Sequence, residues 1–241
     1  MSDPRFGTTQ QPTTTVGRDV AFDAGLRSHM LSVYNYMTSG VLLTGIVAML
    51  FARSGMAAEL FAGGGLLVWL VMLAPLGIVL WMSFGINRIS TGTARLLFWV
   101  YATLMGLSLS TIFLIYTGSS IAQTFFATAA AFAGLSLWGY TTKKDLSGFG
   151  TFLVMGVFGL IIAMIINMFM QSTAMDLAIS AIGVLLFAGL TAYDTQKIKS
   201  MYYSVAGTDH QGKAVVMGAL TLYLDFINLF LFLLRFMGSR D

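Results

Sequence analysis

Long apolar runs separated by short polar breaks dominate the chain. Seven of them come near the roughly 20 residues that a helix needs to cross a bilayer: 31–52, 65–84, 96–116, 121–140, 149–170, 175–193 and 216–236. A transmembrane barrel would show short alternating segments instead. Before the first run, the chain from Met1 to about Leu26 is polar, with paired Thr and Gln and two of the three Pro, and predicts a mobile tail. The pattern divides the protein into a polar N-terminal tail over 1–28, a seven-helix transmembrane domain over 29–238 and a C-terminal tail over 239–241. No secretory signal peptide is expected, because the first apolar run starts late and no small-residue cleavage site follows it. Pro75 falls mid-way through the second run and predicts a kink there. One break carries Arg88 and Arg95, and the longest runs from Gln196 to about Val215.

Composition agrees with this pattern. Apolar residues make up 57% of the 241 and charged residues 10%, against about 25% charged in an ordinary soluble domain. Mean hydropathy is +0.81. A soluble enzyme and a disordered chain are excluded on these grounds. There is no Cys, so disulfides and thiolate chemistry are excluded. Both His, His29 and His210, lie outside the apolar runs, which removes most metallo-hydrolase and His-triad readings. The 26 Gly suit close helix contact in lipid, as at Gly134 and Gly139 or Gly183 and Gly189. The net charge of +3 is too small and scattered for nucleic-acid binding, and the bilayer itself is the expected partner.

Charge placement sets an expected orientation. With the N-terminus in the cytoplasm, ten of the 13 Lys and Arg fall on cytoplasmic segments, and only Arg53, Arg235 and Arg240 on the other side. The expected orientation has the N-terminus cytoplasmic and the C-terminus on the opposite side of a multiply crossed membrane.

Two carboxylates fall at membrane depth, where charge is costly and usually functional. Asp194 stands at the cytoplasmic end of the sixth run and Asp225 inside the seventh. Both lie in the cytoplasmic half of sequential antiparallel helices, so a small shift in helix start would let them meet. At 100° per residue, Thr221, Asp225, Asn228 and Arg235 share one stripe within about 80°. That stripe predicts a seventh helix with one side on a polar interior. The fold class is therefore an all-α membrane protein, a seven-transmembrane-helix bundle with the C-terminal helix central. Asn167 and Gln171, in the fifth run, are expected to bond neighbouring helices.

Four stretches carry a family resemblance: Lys143-Lys144-Asp145-Leu146-Ser147, Tyr193-Asp194-Thr195-Gln196 with Ile198, the run from Leu222 to Phe230, and Leu233-Leu234-Arg235-Phe236. Together they make the chain resemble a bacterial member of the Bax inhibitor-1 family, over nearly all of residues 30–238. The resemblance implies a seven-helix bundle with a pH-sensitive calcium leak that acid opens. It implies that Asp194 and Asp225 form the proton sensor on the ion pathway, and that Arg235 closes the pore from the opposite side. Bacterial relatives carry a further Arg at the end of the second span. Here a tight alignment puts Ser83 at that position and a looser one Arg88, so Arg88 and Asn228 are the possible partners of the sensor. Glu59 is the candidate acidic partner of Arg235.

The expected function is a pH-sensitive calcium or cation leak channel, not an enzyme, with no cofactor beyond the transported ion. Two carboxylates fall far short of the 6–8 oxygens of a calcium site, so Asp194 and Asp225 would hold calcium weakly and in passing. The alternative is a non-catalytic modulator or partner of a membrane-bound quality-control protease. Tyr193-Asp194 matches an intramembrane aspartyl protease, but Asp225 lacks the Gly-x-Gly-Asp setting of that class. A rhomboid-like protease needs a His within a span. A proton-coupled transporter is the remaining use of lone intramembrane carboxylates.

Overall fold

The computed structural model describes residues 13–86 and 88–239. They form α1 (Thr13–Arg53), α2 (Met56–Gly63), α3 (Leu66–Gly85), α4 (Thr91–Leu109), α5 (Ile112–Ile115), α6 (Gly118–Thr141), α7 (Ser147–Met170), α8 (Thr173–Val205) and α9 (Gln211–Met237). Seven segments are long and apolar enough to cross a membrane: Asp23–Arg53 in α1, α3, Thr91–Ile115 across α4 and α5, and each of α6 to α9. They coincide with the seven apolar runs, and the chain is an all-α membrane bundle. Seven crossings put the two ends of the chain on opposite sides. We call the side where α1 begins the N-face and the side where α9 ends the C-face.

The helices are longer than hydropathy suggests. Residues 13–28, expected as mobile tail, belong to α1, which runs unbroken into the first span; residues 1–12 and 240–241 of the expected tails lie outside the described residues. The expected loop from Gln196 to Val215 is mostly helix as well. There α8 continues to Val205, and only 206–210 connect it to α9. The reason is amphipathicity: Asp194, Ile198 and Tyr202 are buried at four-residue spacing while Lys197, Ser200, Tyr203 and Ser204 face outward. In the third run, Ser110 and Thr111 separate α4 from α5, and the Ser110 hydroxyl donates to the Leu107 carbonyl at 2.7 Å. Asn167 and Gln171 end α7 rather than joining helices: Asn167 Oδ1 accepts from the Ser172 amide at 3.0 Å, and Gln171 turns the chain at φ 50°. Pro75 is buried inside α3, which continues through it as a single helix.

The packing is uneven. In its most apolar stretch α9 is 67% buried, against 33% or less for the other six spans. It packs against α8, α1, α6 and α4, whereas α3 packs chiefly on α4, and α7 chiefly on α8. So α9 has four long neighbours rather than a full ring of six. α1 and α6 both lean on α9 but leave a groove between themselves, tied across by a Tyr34 Oη–Ser136 Oγ hydrogen bond of 2.6 Å. α6 and α8 make the opposite kind of contact. A side chain at Gly139 would run into the Ala192 backbone, so only Gly allows that approach; Gly134, on the same helix, has open space beside it.

This contrast is testable. Gly139→Ala should destabilise the bundle by about 1–3 kcal/mol, the usual cost of overpacking, while Gly134→Ala should leave stability unchanged or slightly raised. Thermal unfolding of the two variants in detergent measures the difference.

Candidate functional site

The site grows from the antiparallel α8–α9 pair. Asp194 lies eleven residues before the last residue of α8, and Asp225 fourteen after the first of α9. The two therefore stand at similar depth below the N-face, and both are buried. Because α8 runs on past residue 193, Asp194 sits deep in a helix rather than at its end. The carboxyl groups lie within hydrogen-bonding reach of each other. A carboxylate only accepts, so a hydrogen bond between them requires a proton on one. Asp225 Oδ2 is buried with no hydrogen-bond partner among the described residues. Lys197, one turn along α8, is close enough for its charge to act on Asp194.

Hydroxyl groups line the neighbouring helices. Tyr34 Oη, Ser136 Oγ and Thr195 Oγ1 form a chain from α1 through α6 to α8, with links of 2.6 and 2.9 Å. Thr195 Oγ1 also donates to the Thr191 carbonyl at 2.7 Å. Toward the C-face, Thr44 Oγ1 lies 2.6 Å from Tyr223 Oη and 2.8 Å from the Ala102 carbonyl. Next along α8 from Thr195, Gln196 reaches out to the 142–146 loop. Its Nε2 donates to the Lys144 carbonyl at 2.8 Å, and its Oε1 accepts from the Leu146 amide at 2.9 Å. In that loop Asp145 accepts the Ser147 amide at 2.9 Å, a hydrogen bond that holds its carboxyl below the usual carboxylate range. Two of the sequence stretches singled out above are thus one structural unit.

At the C-face, Arg235 Nε lies 3.1 Å from Asp176 Oδ1. Asp176 occupies the first turn of α8, where a negative charge also suits the helix dipole. The partner is therefore not Glu59. The other expected partners do not reach the pair. Arg88 is exposed, with no ion pair among the described residues, and Asn228 Nδ2 donates to the Leu224 carbonyl of its own helix at 2.8 Å. Thr221 likewise bonds the Met217 carbonyl. The polar stripe of α9 is thus not a continuous polar interior. Only Asp225 and Arg235 use it to reach another helix, and both reach α8.

The profile of the family described as inhibitor of apoptosis-promoting Bax1 matches residues 26–241. The chain belongs to the Bax inhibitor-1 family. A Bax inhibitor-1 relative, the inner membrane protein YbhL of Escherichia coli, is 47% identical over 219 residues, covering 90% of this chain and 94% of its own. An uncharacterised protein of Rickettsia prowazekii is 50% identical over 228 residues, covering 94% and 96%. Another, from Caulobacter vibrioides, is 49% identical over 234 residues, covering 92% of each.

Several groups of this Bax inhibitor-1 protein escape the sequence reading. Asp176 had a signal: it follows the cap residue Ser172, whose Oγ accepts the Met175 amide, and it shares the C-face with Arg235. The Tyr34–Ser136–Thr195 chain had none, since its members are far apart in sequence. His29, outside the apolar runs, is buried with its ring centroid 5.3 Å from that of Tyr202, and neither ring nitrogen has a hydrogen-bond partner among the described residues.

The Arg235–Asp176 pair is partly exposed, at 41% and 27%. A double-mutant cycle with Arg235→Ala and Asp176→Ala should give a coupling of about 1 kcal/mol or less, falling with added salt.

Proposed function

We propose that this protein is a pH-sensitive cation leak pathway of the inner membrane, with calcium as the ion and the Asp194–Asp225 pair as its proton-operated gate. One observation carries the reading: two buried carboxyl groups within hydrogen-bonding reach, on sequential helices at similar depth. With one proton, the pair makes an O–H···O⁻ bond, roughly twice as strong as a neutral one. A second proton weakens that tie between α8 and α9, and acid therefore loosens the contact. Loss of the shared proton leaves two like charges that repel. The contact is thus tightest with one proton on the pair, and pH biases it away from that state.

Among the described residues no third carboxylate or imidazole joins the pair as a metal cluster. Two carboxylates hold a calcium ion only in passing, which suits a leak and not storage. On the C-face, the Arg235–Asp176 pair supplies a second closure. The ten-to-three bias of Lys and Arg supports a cytoplasmic N-terminus, which makes the N-face, and the gate beneath it, responsive to cytoplasmic pH.

Calcium flux into liposomes, measured from neutral to acid pH, tests the reading. Wild type should show acid-activated flux, and Asp194→Asn and Asp225→Asn should each flatten the pH profile. Arg235→Ala should raise flux at neutral pH by no more than about fivefold, matching a pair worth 1 kcal/mol or less. A non-conducting modulator of a membrane protease would show no flux at any pH, and an unchanged profile in both Asp variants would remove the gate. A periplasm-active reporter fused after Asp241 should be active; activity of a cytoplasm-only reporter there would reverse the orientation.

A further inference from the structure

The groove between α1 and α6 runs from one face of the bundle to the other. Its N-face half is a cavity of about 680 Å³ that begins at Arg27 and passes Met37 and Ala133. Its C-face half, also about 680 Å³, passes Ala122 and ends at Arg53. The halves share Val41, Phe125 and Phe226, so they meet at mid-depth over a floor supplied by α9. The walls between the ends are largely apolar, and the groove opens sideways because α1 and α6 do not close it.

Its two ends differ from its middle in charge. Arg27 and Arg53 are both exposed, and neither has an ion-pair or hydrogen-bond partner among the described residues. They stand on one helix, 26 residues apart, or about 39 Å at 1.5 Å per residue. A bilayer measured through its headgroup regions is about 40–45 Å thick. The two cations thus fall at the two headgroup levels, with an apolar trench joining them. A soluble metabolite would match neither that charge spacing nor the apolar walls, and an apolar peptide would leave both cations unpaired. Phospholipids match both, and guanidinium groups suit their phosphates.

We propose that the α1–α6 groove is a phospholipid site that holds one glycerophospholipid from each leaflet, with phosphates on Arg27 and Arg53 and tails meeting over Phe125 and Phe226. The site seals the bundle on the side where two spans stand apart and are bridged by the Tyr34–Ser136 hydrogen bond. It stands whether or not an ion passes between α8 and α9.

Native mass spectrometry of the full-length protein in mild detergent, titrated with dioleoyl phosphatidylglycerol, tests this. Wild type should retain two lipids per chain. Arg27→Gln and Arg53→Gln should each retain one at most, and the double variant none above detergent background. Ala133→Trp, which fills the N-face half without changing charge, should also lose one. Arg88→Gln, which removes an exposed cation outside the groove, should still retain two. Dioleoylglycerol, with the same tails and no phosphate, should bind at least about tenfold more weakly, since Arg–phosphate contacts are charge-assisted. Equal retention by wild type and the double Arg variant overturns the proposal. So does an equal loss in Arg88→Gln, equal binding of dioleoylglycerol, or a wild type that retains no lipid.

Discussion

A charged carboxylate at membrane depth is costly, and two of them side by side are tolerable only with a proton between them. Asp194 and Asp225 approach only in one register of α8 against α9. Sliding either helix by one residue would move its carboxyl by 1.5 Å and swing it through 100°, leaving two buried acids without partners. Other contacts along the same seam agree with that register. Phe187 stacks on Phe232 at 5.7 Å and 21° between planes. The Phe232 ring lies where a side chain at Gly183 would be. The acid pair thus positions the most buried helix of the bundle against α8, its most extensive contact partner.

The same constraint explains the hydroxyls between helices. Lipid tails offer no hydrogen bonds, so a buried Thr, Ser or Tyr must find a partner inside the protein. Thr191 and Thr128 turn back to the carbonyls four residues earlier. Thr44, Tyr223, Tyr34, Ser136 and Thr195 bond across helices. Tyr101 Oη finds no partner among the described residues, although its ring packs edge-on against Tyr223 at 5.3 Å.

Crossings were legible in the sequence because hydropathy over 20 residues is a strong signal. Helix ends were not, because the end of an apolar run is not the end of a helix. Lys197 and Lys199 made a helical segment look like loop, although Lys199 bonds the Tyr140 carbonyl and covers its ring. Asp194 and Asp225 could be paired from sequence, since a carboxylate at that depth demands a partner and sequential helices supply one. The partner of Arg235 could not, since several acids share its side of the membrane and only packing brings Asp176 to it. Asn228 shows the limit of helical-wheel reasoning. A polar side chain on the right stripe can satisfy itself on its own backbone and contribute nothing across the interface.

The length of α8 has a mechanical consequence. Its 33 residues make a rod of about 50 Å, against a hydrocarbon core of about 30 Å. The surplus turns extend toward the N-face, where Ile198 and Tyr202 stay packed on the bundle while Lys197 and Tyr203 face outward. Helical hydrogen bonds run without a break from those turns to Asp194, so the surplus part is a rigid continuation of the helix that holds the buried acid. Gln196 and Lys199 fix those turns to the 142–146 loop and to the Tyr140 carbonyl, so the segment that carries Asp194 is anchored just beyond it. The buried acid is thus joined to the N-face surface by continuous helix and not by loop.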